Sequence, residues 1–205
     1  MPRIDDYINA RQIAVEKLSK ESFDNIVKRS GFETLRDNVL KVPFLDRIYQ
    51  VSFPDFEFKN VSKKETAVPI QEQVLILHYL MAESTMKLTG NWIAYREIPE
   101  ASFYFGAFVK RAIDPLKKAF DQNVSDLSKA AKCINGKAID MGDVGFEFKV
   151  FPKVSLQLIL WEGDDEFSPE ANILFDEIIG EILSPEDVAW LSGMLVYRLI
   201  ALSRG

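Results

Sequence analysis

Between Val144 and Leu160 the chain alternates in a way that β-structure alone accommodates. Val144, Phe146, Phe148 and Val150 are interleaved with Gly145, Glu147 and Lys149, a period of two that gives a strand one apolar face. Pro152 and Lys153 carry turn chemistry, and Val154, Leu156, Leu158 and Leu160 repeat the alternation on the return. A hairpin over these residues constrains everything around it. Its second strand runs into an acidic loop, Glu162 to Glu166, and then into Ser168-Pro169-Glu170. That triplet predicts a helix start, with Ser at the cap, Pro at the first helical position and a carboxylate in the first turn. Ser184-Pro185-Glu186 repeats the signal and opens a closing helix that buries Val188, Trp190, Leu191, Leu195 and Leu199.

The preceding residues add further elements. Asp5 to Leu18 reads as a helix with Ile4, Ile8, Val15 and Leu18 on one stripe, and Ser22 to Arg29 as a second, stopped by Gly31. These make residues 1–31 a helical arm packing on the core. A first hairpin is expected from Asp46 to Phe58 around Pro54-Asp55, followed by an exposed loop over Asn60 to Thr66. Pro69 opens a strong helix with Ile70, Val74, Leu77, Leu80 and Met81 facing inward. Asp114-Pro115 reads as a cap and restart through Phe120, and Ser125 as the cap of a helix ending at Asn135-Gly136. The fold class is α+β: two β-hairpins in a mixed, mainly antiparallel sheet packed by several helices. With 205 residues, nearly half apolar, one domain over the whole chain is the expectation.

Composition excludes more than it identifies. The single cysteine, Cys133, forms no intrachain disulfide and holds no cysteine-ligated iron–sulfur cluster by itself, and it reads as a partly buried, inert thiol. The single histidine, His78, sits at the edge of an apolar stripe, where a packing residue is the simpler reading than a ligand or base. No cofactor is evident, and a divalent metal would need oxygen ligands. The net charge of −6 is unevenly spread: from Val154 to Tyr197 there are ten acidic side chains and no Lys or Arg. Such a face repels phosphate backbones, which argues against nucleic acid and for a small molecule or a protein partner with a basic surface. The apolar runs are too short to cross a bilayer, so a cytoplasmic protein without membrane attachment is expected.

Two stretches hold the candidate site. Lys87 to Arg111 interleaves aromatic and basic residues, and Trp92, Tyr95, Arg96, Lys110 and Arg111 are its candidate ligand contacts. Core packing and a solvated cationic rim produce the same pattern. Trp161, Glu162 and Asn172 flank the acidic loop, where Glu162, Asp164, Asp165 and Glu166 are candidate metal ligands, although their spacing lacks the EF-hand pattern. The plainer account makes these carboxylates favourable neighbours of the expected helix N-terminus. A binding site is expected where the two stretches meet. Gly163 to Phe167, GDDEF, resembles the diguanylate cyclase signature, but Asp164 replaces its second glycine and a helix, not a returning strand, is expected next.

A broader resemblance rests on LTGNWIAYREIP, FVKRAIDPL, GFEFKVFPKVSLQLILWEGDDEFSPEANILFD and the closing helix. Together, from about Pro69 to Leu202, these resemble the prokaryotic family called domain of unknown function 3786. The resemblance implies a setting in anaerobes, in metal or cofactor metabolism, and implies no activity. Some relatives carry a cysteine-rich iron–sulfur segment that this chain lacks. The expected function is thus that of a small-ligand-binding or accessory protein. The alternative is an enzyme using its carboxylate cluster, with or without a metal, on a small anionic substrate.

Overall fold

The computed structural model describes residues 3–62, 66–121 and 123–204. The fold is α+β, and the two expected hairpins lie in two separate antiparallel sheets. Contacts gather the chain into two compact units. The first contains residues up to Met86 together with Phe151–Lys153, and the second contains the rest from Lys87 onward.

In the first unit, α1 (Ile4–Leu18) and α2 (Phe23–Ser30) pack on α3 (Ile70–Met81). Ser22 caps α2 by accepting from the Asn25 N–H, and Gly31 stops it at φ 73°, as its sequence predicts. The stripe expected on α1 is only half right. Ala14 and Leu18 are buried, whereas Ile4 and Ile8 are 56% and 51% exposed. Arg11 makes the connection to α3 instead, donating to Gln73 Oε1 at 2.7 Å and to the Phe56 carbonyl at 2.8 Å. In α3 the burial is wider than a stripe, and Leu75, Ile76 and Tyr79 join Val74, Leu77 and Leu80.

The sheet of this unit runs β1-β2-β3-β4: Glu33–Arg36, Val39–Phe44, Arg47–Ser52 and Phe58–Asn60. The expected hairpin is β3–β4, paired Val51 with Phe58 across a turn containing the cis Phe53–Pro54 bond. Phe56 belongs to that turn, at φ 49°, and is buried. Strands β1 and β2 were not expected. The loop expected over Asn60–Thr66 includes Lys63–Glu65, which lie outside the described residues. Behind the sheet, the Tyr49 hydroxyl donates to Glu72, and Arg47 donates to the same carboxylate at 2.8 Å, tying β3 to α3. Phe151 completes the core, 4.5 Å from the Tyr79 ring centre and 5.6 Å from that of Phe44.

In the second unit a five-stranded sheet runs β5-β9-β8-β7-β6: Trp92–Ala94, Glu170–Asp176, Val154–Trp161, Val144–Phe151 and Lys137–Ile139. The hairpin β7–β8 turns at Pro152-Lys153 as expected, and β8 is buried along its length except at Trp161. Strand β9 overturns the helix expected after Ser168-Pro169. The φ that proline imposes suits an extended strand entry as well as a helical first turn, and pairing with β8 from Leu156–Phe175 to Trp161–Glu170 decides the outcome. At Ser184 the same signal does start a helix, α8 (Pro185–Ser203), with Ser184 Oγ accepting from the Asp187 N–H.

The other helices of this unit are α4 (Phe105–Phe108), α5 (Asp114–Phe120), α6 (Val124–Cys133) and α7 (Ile179–Ile182). Asp114 is not a cap. A π-turn over Val109–Ile113 joins α4 to α5 without a break, and the Asp114 N–H reaches back to the Val109 carbonyl. Pro115 lacks the N–H that the Arg111 carbonyl would otherwise accept, and the wider turn absorbs the defect. Helix α6 begins before the expected Ser125 cap, with the Asn123 carbonyl accepting from Asp126 at 3.0 Å. Cys133 at its end is exposed, not partly buried. Among the described residues no helix is long and apolar enough to cross a membrane.

Candidate functional site

The aromatic-basic stretch divides between core and surface. Tyr95 is buried and stacks on Phe108, ring centres 4.2 Å apart and nearly parallel, while its hydroxyl donates to the Pro185 carbonyl at 2.7 Å. Burial pushes that hydroxyl up to about 12, against the opposing pull of the nearby Arg111 charge. Trp92 is half-buried on β5, opposite Asp176. Arg96 is exposed with its guanidinium 3.8 Å above the Phe105 ring, and Lys110 is exposed. Arg111 is half-buried, 4.2 Å from the centre of the Trp190 ring, and its Nη1 is buried without a hydrogen-bond partner. A desolvated donor left unmatched costs on the order of 1–3 kcal/mol, and more for a charged group.

The acidic loop is the tip of the β8–β9 hairpin. Asp164 folds it: its Oδ1 accepts from the N–H groups of Phe167 at 2.7 Å and Glu166 at 2.8 Å, and its own N–H donates to the Phe167 carbonyl. Those two N–H groups hold the Asp164 carboxyl below its usual range. Asp121 accepts from the Gly163 N–H at 3.3 Å, and the Glu162 N–H donates to Asp143 at 2.8 Å. The tip encloses an open hollow of about 390 Å³ beside Asp121, and Lys117 comes within 3.8 Å of Glu170. Phe167 is 69% exposed and Trp161 40%. Asn172, half-buried on β9, accepts from the adjacent Ile173 N–H.

The expected four-carboxylate metal set is not assembled. Glu162, Asp164, Asp165 and Glu166 are all exposed, and Asp164 is occupied by backbone donors. Among the described residues no group of three or more His, Cys, Asp or Glu side chains could hold a metal ion. The account of these carboxylates as neighbours of a helix N-terminus falls with the helix. The returning strand removes one reason for setting aside the GDDEF match; Asp164 in place of the glycine, and a sequence that elsewhere supplies no nucleotide pocket of that family, still set it aside as chance. Nor do the two stretches converge at their tryptophans. Trp92 lies opposite Asp176 and Trp161 opposite Glu170, about 20 Å apart along β9 at some 3.3 Å per residue. Among the described residues no hydrogen bond or ion pair joins Arg96, Lys110 or Arg111 to the loop.

Asp176 is the residue that sequence reasoning missed. It is buried, and its carboxylate accepts from the N–H groups of Thr89 at 2.9 Å, Gly90 at 2.8 Å and Ile178 at 3.3 Å. This is the physical reason for the LTGN segment: Gly90 takes φ 80° so that successive N–H groups turn toward one carboxylate. The only sequence signal was an acid directly after the apolar run Ile173–Phe175.

Fold and surfaces together define an α+β protein with an exposed acidic hairpin tip, an exposed Arg96 over Phe105 and a half-buried Arg111 beside Trp190. The chain belongs to the DUF3786 family, a domain of unknown function, whose family model matches residues 22–198. No curated protein and no solved structure matches it.

Proposed function

We propose that this chain is a non-catalytic binding protein that docks on a partner protein through the β8–β9 tip. The partner surface would be basic and would offer an apolar recess for Phe167. The observation that carries this reading is Phe167 itself, 69% exposed on a loop that Asp164 holds in shape. An aromatic side chain presented in a fixed geometry gives large contact area for little ordering cost, the property of interface hot spots. The four acids around it, in a segment without Lys or Arg from Val154 to Tyr197, supply charge complementarity and speed encounter with a cationic surface. A cytoplasmic location is part of this proposal, as is the anaerobic setting in metal or cofactor metabolism that the family resemblance implied.

Photo-crosslinking from position 167 in cells tests it, with position 8 on α1 as an exposed control. The partner captured at 167 is then purified and its affinity measured. Phe167→Ala should weaken binding about tenfold or more, and added salt should weaken it further. Adducts at position 8 but none at 167, or a captured partner that binds Phe167→Ala as tightly as the unaltered chain, would sink the reading.

A further inference from the structure

We propose that Arg111 anchors a second site, independent of the hairpin tip, that takes a small oxyanion, a carboxylate or a phosphate, beside the face of Trp190. Three half-buried arginines of the first unit show what this protein does with a guanidinium it uses for folding. Arg11 donates to Gln73 and the Phe56 carbonyl, Arg29 to Glu21 and the Leu80 carbonyl, and Arg47 to Glu72 and Tyr49. Arg111 has none of this. Its Nη1 is buried and unmatched, and among the described residues no carboxylate pairs with it.

The groups around it are already committed elsewhere. The Tyr95 hydroxyl is spent on the Pro185 carbonyl, and Glu186 lies beside Tyr104, whose hydroxyl that carboxylate pushes above its ordinary range. Meanwhile the guanidinium is held in position. Its Cζ lies over the Trp190 ring, 4.2 Å from the ring centre, and its backbone belongs to the π-turn. Helix α8 comes so close to that turn that a Cβ on Gly193 would stand 3.2 Å from the Arg111 carbonyl oxygen. A guanidinium beside an aromatic ring, with its Nη1 unmatched, has the planar fork that suits the two-pronged geometry of carboxylate and phosphate oxygens. π-turns recur at functional sites, and Arg111 lies within this one.

The experiment is thermal unfolding of the full chain in rising inorganic phosphate and, separately, rising succinate, at constant ionic strength against chloride. A ligand that binds the folded state alone raises the midpoint in a saturable way. The expected result is such a rise with one of the two anions, which identifies the chemistry. Arg111→Met should abolish the rise while keeping a midpoint in chloride close to that of the unaltered chain, because it removes a half-buried charge whose Nη1 is unmatched and keeps an apolar stem against Trp190. Arg111→Lys, which retains charge but not the fork, should weaken the response. Equal rises in the unaltered chain and Arg111→Met, or no rise with either anion, would overturn the proposal. A loss of midpoint in chloride with both variants would do the same, by showing that Arg111 serves folding.

Discussion

Asp176 is the one buried acid among the described residues, and none of the groups that donate to it has another described acceptor. Replacing it with Asn sets an NH₂ group against backbone N–H groups, so Asp176→Asn should lower stability by about 2–3 kcal/mol. Urea unfolding would show this, and a change within error would mean that the Thr89–Gly90 turn holds without its acceptor. Tyr95 offers a test in pH. Its hydroxyl is raised from 10.0 to about 12 in the folded chain, so its contribution is complete below pH 10 and is lost as pH climbs through 12. Tyr95→Phe should cost about 1 kcal/mol below pH 10, from the lost bond to Pro185. It should also flatten the fall in stability between pH 10 and 12, read from unfolding midpoints across that range. An unchanged alkaline slope would show that Tyr95 ionises as freely in the folded chain as in the unfolded one.

Elements were legible where one signal stood unopposed. The hairpin β7–β8, helix α3 and the start of α8 follow from alternation, a run of helix formers and a Ser-Pro cap. Strand β9 was not legible, because Ser168-Pro169-Glu170 satisfies a helix start locally, and only pairing with β8 settles the conflict. Strands β1 and β2 could have been read from Leu40, Val42 and Phe44, which alternate after the Asp37-Asn38 turn. The site residues were legible as types but not as partners: nothing local says that Arg111 would meet Trp190, or Asp176 the Thr89–Gly90 turn. Two substitutions probe elements. Gly193→Leu should separate α8 from the π-turn and cost about 1–3 kcal/mol by overpacking, measurable in urea. Asp164→Ala should release the Glu166 and Phe167 N–H groups to fast hydrogen exchange while the global midpoint stays in place. Continued protection of those two N–H groups would show that the loop keeps its shape by other means.

On the scale of the whole molecule, charge and connectivity matter most. The acidic C-terminal segment weights the second unit toward negative charge, and in the first unit Arg29 and Arg47 are paired with Glu21 and Glu72. The first unit is also discontinuous in sequence, since Phe151 arrives from the end of β7 to lie among Phe32, Phe44 and Tyr79. Phe151→Ala should therefore cost about 3–5 kcal/mol, the range for emptying a buried aromatic position, and thermal melts would report it. A cost below that of a surface substitution would mean that Phe32, Phe44 and Tyr79 close over the gap unaided.

That discontinuity has a meaning in time. A ribosome releases α1, α2, the first sheet and α3 long before it reaches β7, and the nascent chain must keep an aromatic cavity unfilled while the intervening residues are made. For that interval the first unit lacks one aromatic member of its core, and synthesis of Phe151 supplies it.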